Sequence, residues 1–300
     1  MLVGIVGPTA SGKSGVALGL ARSLGGAEIV SMDAFSLYRG MDIGTAKPSR
    51  TELDEIPHHQ IDVLNIDEEA SVARYQSEAR ADVEAIEGRG NQPIAVGGSA
   101  LYIHALFDVM EFPGTDPKVR AYVEERAKME GFAALYRELR LRDPKAAESI
   151  HPNDSRRIVR ALEVMELTGR PFSATMPMRE FVRPSILIGM RRSLDSLDAR
   201  IEERTSQMIE AGFVREVEAL MDEGLADTPT AAKATGYEPV MRYLLGEISL
   251  EEAKELIELH TRQLVRKQMK WFRRDERINW IDADGITAEQ VRDQALALIN

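Results

Sequence analysis

Gly7-Pro8-Thr9-Ala10-Ser11-Gly12-Lys13-Ser14 follows the apolar run Leu2-Val3-Gly4-Ile5-Val6 and opens a segment with helical spacing at Val16, Leu20 and Leu24. The order is strand, glycine-bounded loop, helix, and the loop carries the pattern G-x-x-x-x-G-K-[ST]. Such a loop captures anions. Its backbone N–H groups and the helix N-terminus point inward at a phosphate, Lys13 adds a point charge, and Ser14 is placed to ligate Mg²⁺. The pattern calls for a diphosphate or triphosphate without saying which, and a nucleotide such as ATP is within its range.

Composition bounds the rest. The 300 residues suffice for one large or two modest domains. No charged-then-apolar leader and no apolar run near membrane length is visible, so a cytoplasmic protein with no membrane association is expected. The absence of cysteine excludes disulfides and Cys-based zinc modules. The net charge of −11 is unusual for a nucleic-acid binder, so any polyanion surface must be local.

Ala27 to Asp33 reads as a second strand with Asp33 at its C-terminal end, the end where ligands sit in open α/β sheets. Tyr38 to Pro48 has glycines and a proline but no period, and is a loop long enough to suspect function. His58 and His59 lack partners at ligand spacing and read as loop or packing residues. Val72, Tyr75, Ala79, Val83 and Ile86 mark an amphipathic helix, and Pro93 to Ser99 a further buried strand breaking into a glycine turn. Strands alternating with helices around a phosphate loop predict an α/β fold, a P-loop NTPase-like doubly wound parallel sheet. From Val119 to Thr168 only helical spacing is present. This predicts a core in two parts, 1–112 and 185–300, with an all-helical insertion over 113–184. Arg200 and Arg204 share one face of a later helix, Thr228 to Val240 reads as a loop, and Ser249 to Glu252 as a capping box. Within 262–274 six cations occur without an acid. Arg262, Arg266, Lys270 and Arg273 fall on one helical face, and Arg156, Arg157 and Arg160 form a second cluster, so both are candidates for polyanion binding.

Several blocks together resemble one family, the tRNA dimethylallyltransferases of bacterial type. They are the phosphate loop, Tyr38 to Pro48 (YRGMDIGTAKP), Gly97-Gly98-Ser99-x-Leu101-Tyr102, His151 to Asp154, Arg160 to Glu163, and Thr261 to Arg273. The resemblance implies transfer of the dimethylallyl group of dimethylallyl diphosphate to N6 of adenosine 37, beside the anticodon of tRNA, with release of diphosphate. It implies Asp33 as the base, and Lys13, Thr9, Arg204 and Ser14 with Mg²⁺ as the diphosphate clamp. It places tRNA contacts at Asp33, Ala34, Phe35, Ser36, Ser99, Arg120, at Arg156, Arg157, Ile158, Val159 and Arg160, and at Lys233, Ala234, Thr235, Gly236, Tyr237 and Glu238. The insertion would grip the anticodon stem-loop, and the chain is expected to act as a monomer. Ala34 and Ser36 stand where the family usually has Ser and often Gln, and Glu238 where it usually has a basic residue. Two other activities use similar loops, prenylation of free adenine nucleotides and small-molecule phosphorylation. The first needs no basic helix. The second lacks, at the end of the third strand, the Asp that would hold Mg²⁺ through water.

Overall fold

A computed structural model describes residues 1–299 of the chain. It forms two compact units: Met1–Phe107 together with Phe181–Asn300, and Asp108–Glu180. The first unit begins with β1 (Leu2–Val6), α1 (Lys13–Leu24), β2 (Ala27–Ser31), α2 (Arg50–Glu55), β3 (His58–His59), α3 (Val72–Gly88), β4 (Gln92–Gly97) and α4 (Ala100–Phe107). The second unit carries α5 (Pro117–Glu130), α6 (Phe132–Arg142), α7 (Pro144–Ser149) and α8 (Ser155–Thr168). The first unit resumes with β5 (Ser185–Arg191), α9 (Leu194–Ala211), α10 (Phe213–Asp222), α11 (Tyr237–Leu244), α12 (Leu250–Phe272), β6 (Ile278–Asp282) and α13 (Ala288–Ile299).

The strands form one six-stranded parallel sheet in the order β3-β2-β4-β1-β5-β6. β1 and β2 are buried along their whole length. That suits strands covered on both faces: β1 reads as a continuous apolar run, and in β2 the buried Glu28 is paired with Arg89 and His59. Val16, Leu20 and Ala21 of α1 and Val291 and Ala295 of α13 share one core with Ile5, Ile29, Ile94 and Ile188. The chain leaves β1 toward β2 and β3 on one side and later reaches β5 and β6 on the other. The crevice for a ligand in such a sheet opens at this reversal, beyond the strand C-termini. The register sets Val6 beside Gly97 and Ser31 beside Val96, so Gly7, Asp33 and Gly98 emerge at the same end.

In the second half, Leu197 and Ile201 of α9 pack against Val265 and Met269 of α12, with Ala10 of the phosphate loop against the same cluster. Helix α12 starts at the expected capping box, Ser49-like in form at α2 as well: the Ser249 hydroxyl accepts from the Glu252 N–H, and the Glu252 carboxylate accepts from Ser249. The stretch 228–240 is not a plain loop. A 3₁₀ turn covers Ala231–Lys233, and α11 starts at Tyr237 behind Gly236, whose φ of 98° suits glycine. Tyr237 and Val240, three apart and buried, supply the helical face that the Gly-Tyr-Glu-Pro sequence conceals. The all-helical unit spans Asp108–Glu180, against the 113–184 read from sequence, because Asp108 to Met110 and the chain near Met178 to Glu180 hydrogen-bond to each other: Val109 N–H donates to Glu180 and Met178 N–H to Val109. Its core joins Val123, Leu135, Leu139, Ile158 and Leu162. Among the described residues no helix is long and apolar enough to cross a membrane.

Gly97 lies at the end of β4 where a Cβ would stand 2.5 Å from the Met32 carbonyl oxygen. Gly97→Ala is therefore expected to cost about 1–3 kcal/mol, whereas Gly88→Ala, which meets nothing within 4 Å, should be neutral or slightly stabilising. Urea unfolding of the two variants measures the difference, and equal midpoints would contradict the close approach.

Candidate active site

The phosphate loop runs from the end of β1 to the start of α1. Gly12, at φ 91°, is the N-cap residue of α1; no side chain caps the helix and no acid occupies its first turn, so its N-terminal dipole is left for an incoming anion. Three side chains from elsewhere fix the loop. The Thr9 N–H donates to Oε1 of Gln268 at 2.9 Å, and Nε2 of the same Gln268 donates to the Gly98 carbonyl at 3.0 Å. Arg200 donates to the Ala10 carbonyl at 2.7 Å and Arg192 to the Ser11 carbonyl at 3.0 Å. Lys13 folds back over the loop, its Nζ 3.3 Å from the Pro8 carbonyl.

Two cavities meet beside this loop. One, of about 200 Å³, is lined by Lys13, Ser14 and Lys47 among others. The second, of about 310 Å³, is lined by Phe35, Ser99, Thr235, Lys267 and Trp271 among others. Thr9, Asp33, Thr45 and Arg204 line both, and so form the junction. Lys13, Ser14 and Arg204 also line an outer cleft of about 540 Å³ with Arg200 and Gln207. The Asp33 Oδ1 accepts from the Phe35 N–H at 2.9 Å, which fixes the carboxyl orientation. Burial pushes the Lys13 ammonium down to about 8; the Asp33 carboxylate opposes that shift and the Arg204 guanidinium adds to it. Arg204 is likewise lowered from its ordinary value by burial and supported by Asp33. Two cations thus share one carboxylate, an arrangement that favours a second anion between them.

The structure brings Thr9, Lys13, Ser14, Asp33 and Arg204 together, and adds Phe35, Ser99, Ala234 and Thr235 to the second cavity. Ala34 follows Asp33 without lining either cavity. Ser36 is buried, its hydroxyl bonded to the Ser31 hydroxyl at 2.8 Å and to the Asp33 carbonyl at 3.2 Å, so it braces the Asp33 turn. Lys233 and Glu238 are exposed at a neighbouring depression, with Lys233 hydrogen-bonded to the Pro229 carbonyl and Glu238 facing Arg242. Tyr237 is fully buried, and its hydroxyl donates to Glu216 at 2.7 Å.

In the helical unit Arg156 and Arg157 are exposed on the first turn of α8, whereas Ile158 and Val159 point into its core. Arg120 and Arg160 both donate to the buried Glu163, at 2.8 and 3.0 Å. The basic face on α12 is corrected in part. Arg262 pairs with Glu202 and Glu258, and Arg266 with Asp198, so half of that face is neutralised by α9 and by Glu258 one turn earlier. Lys270 and Arg273 remain exposed. The cation that reaches the cavity is Lys267, in line with Leu264 and Trp271 at three- and four-residue spacing. Lys267, Gln268 and Thr45 are the site residues that the sequence reading did not assign. The signal for the first two was present, since 264, 267, 268 and 271 form an alternative helical face.

Residues 36–275 match the IPP transferase family. The chain is 52% identical over 294 residues to a tRNA dimethylallyltransferase of Corynebacterium efficiens, with 97% of each chain covered. It is 52% identical to one of Nocardia farcinica, covering 93% of this chain and 90% of that one. Among solved structures, the full-length tRNA isopentenylpyrophosphate transferase of Bacillus halodurans superposes with a TM-score of 0.71 at 36% identity, over 99% of this chain and 95% of that one. A eukaryotic dimethylallyltransferase acting on tRNA superposes with a TM-score of 0.84 at 26% identity, over 99% of this chain and 77% of that one.

Two measurements check this site. Because Lys13 loses its proton near pH 8, affinity for a diphosphate monoester should fall above that pH, toward about tenfold per unit, and Lys13→Arg should move the fall beyond pH 10. A profile flat to pH 10 in the unaltered protein would remove Lys13 from anion binding. Lys267→Gln should lower the log–log salt slope of RNA binding by about 0.7–0.9. Arg266→Gln, which opens an ion pair with Asp198, should leave the slope in place. The reverse assignment of slopes would restore the 262/266 face as the RNA surface.

Proposed function

The chain belongs to the IPP transferase family and its reaction is the prenylation of tRNA; we propose that it carries a dimethylallyl group from dimethylallyl diphosphate to N6 of adenosine 37 across the Asp33 junction. The observation that supports this most is the pair of cavities that share Thr9, Asp33, Thr45 and Arg204. One is built for an anion and one is lined by Phe35, Trp271 and hydroxyl groups, so the two substrates approach a common point from different sides. An adenine in a folded anticodon loop reaches such a depth only when turned out of its stack. The Phe35 and Trp271 rings offer stacking surfaces for the extruded base, and the Ser99 and Thr235 hydroxyls offer hydrogen bonds to its edge.

The exocyclic amine is a weak nucleophile because its lone pair is delocalised into the ring. As the bond forms between N6 and the first carbon of the prenyl group, the carbon–oxygen bond to diphosphate breaks and its electron pair stays on the diphosphate oxygen. The proton lost from N6 goes to the Asp33 carboxylate. Negative charge grows on the leaving oxygen, and Lys13, Arg204, the phosphate-loop N–H groups and the Thr9 hydroxyl lie on that side to hold it.

Magnesium fits the residues present. Ser14 offers one hard oxygen in the chamber with Lys13, and among the described residues no cluster of three His, Cys, Asp or Glu forms a protein cage. Mg²⁺ characteristically keeps several waters and binds through one or two protein groups and substrate phosphates. When bound, the ion supplies further neutralisation of the leaving diphosphate. The chain is proposed to act as a monomer where tRNA is found, in the cytoplasm.

Labelled dimethylallyl diphosphate offered with tRNA, AMP or ATP tests the reading: label should appear only in tRNA, and transfer to a free nucleotide instead would overturn it. Asp33→Asn should slow single-turnover transfer by about 10²–10⁴-fold. Binding of the prenyl diphosphate should be retained or tightened, since one negative charge leaves the neighbourhood of Lys13 and Arg204. Near-normal turnover by Asp33→Asn would mean that another group takes the proton.

A further inference from the structure

Of the four junction residues, Thr45 belongs to the segment between Tyr38 and α2, which itself forms no helix or strand. Its neighbours are nevertheless held from two sides. From within, the buried Lys47 ammonium donates to the Tyr38 carbonyl at 2.6 Å, to Asp42 at 2.7 Å and to Asp62. From outside, one carboxylate on α10, that of Glu216, accepts three consecutive backbone N–H groups: Asp42 at 2.9 Å, Ile43 at 2.6 Å and Gly44 at 3.1 Å. The same carboxylate accepts the Tyr237 hydroxyl at 2.7 Å.

The contact is close as well as polar. A Cβ on Gly44 would lie 2.4 Å from the Phe213 ring and 2.5 Å from the Tyr237 ring, so only glycine lets this loop seat against α10 and α11. Phe213 and Tyr237 pack edge to face, 5.0 Å between centroids. At the far end of the loop the Tyr38 hydroxyl meets Thr230. The loop 38–48 and the segment 228–238 are therefore one assembly, and Glu216 is the charged centre of it. A carboxylate that accepts successive N–H groups forms strong, direction-specific bonds, because the acceptor is ionised and the donors are fixed in the backbone.

We propose that Glu216 is a positioning residue for prenyl transfer: it holds residues 42–44, and through them Thr45, as the shared wall of the two chambers, without touching either substrate. This rests on the reading of the junction as the place of transfer. A displaced wall would alter the distance and angle between the prenyl carbon and the amine, and misplacement of about 1 Å costs on the order of 10²-fold in rate.

Single-turnover transfer, with enzyme and tRNA saturating over labelled dimethylallyl diphosphate, separates positioning from loss of folded enzyme. With enzyme in excess, a partly misfolded preparation keeps the rate constant while its folded fraction saturates the label, whereas misplacement lowers the rate constant itself. For Glu216→Gln the expected result is a rate constant about 10- to 100-fold lower, with binding of prenyl diphosphate within about threefold, since the phosphate loop is untouched. Tyr237→Phe, which keeps the three backbone bonds and removes the fourth, should lower the rate constant by a smaller factor of about 3–10. It serves as the deciding variant if Glu216→Gln does not fold. A wild-type rate constant in whichever of these variants folds overturns the proposal. Failure of the unaltered enzyme to label tRNA would instead sink the functional reading, and the two failures are distinguishable in one experiment.

Discussion

Two partly buried cations, Lys13 and Arg204, face one carboxylate, Asp33, and this imbalance governs the site. A cation withdrawn from water is unfavourable unless an anion accompanies it, and here the protein supplies one anion for two cations. In the proposed reaction the substrate's diphosphate supplies the remaining charge. The same carboxylate lines the second chamber too, where the proposed reaction has it take the amine's proton. Binding and chemistry thus follow from one electrostatic fact.

The fold exists in a form that sustains this imbalance. A parallel sheet brings the ends of β1, β2 and β4 into register, so that Gly7, Asp33 and Gly98 emerge together. Closure then comes from the second half of the chain. Helix α9 contributes Arg204 and Arg200, and α12 contributes Gln268, whose two amide ends join the phosphate loop to the Gly98 turn. The core of Leu197, Ile201, Val265 and Met269 packs α9 against α12, so the clamp on the loop and the wall lined by Lys267 and Trp271 are built on one pair of helices.

The centre of the sheet was legible because β1 and β4 are short apolar runs and the loop has a distinctive glycine–lysine spacing, whereas the edge strand β3 was not, since it is only His58–His59, a pair that reads as loop. Asp33 was legible as a residue at the end of a strand, whereas helical spacing placed Arg204 only on a face with Arg200, and its assignment to the site came from the family resemblance. The α12 face was misread in part for a physical reason: the stretch 262–274 holds no acid, but Asp198 and Glu202 reach it from α9, and tertiary pairing leaves no mark on local charge counts. Tyr237 read as a loop residue because Gly236 and Pro239 obscure the start of α11. Glu216 was invisible, since its role is to accept backbone N–H groups from a loop more than 170 positions away, and a backbone donor has no sequence signature.

Donor and acceptor are proposed to meet at Asp33 from separate chambers. A crystal structure with tRNA and an unreactive thiolo analogue of dimethylallyl diphosphate tests this. Diphosphate oxygens are expected on Lys13 and Arg204, the first prenyl carbon about 3–3.5 Å from adenine N6, and an Asp33 oxygen within about 2.6–3.2 Å of that amine. A diphosphate seated away from Lys13, or an adenine amine with no path to Asp33, would contradict it.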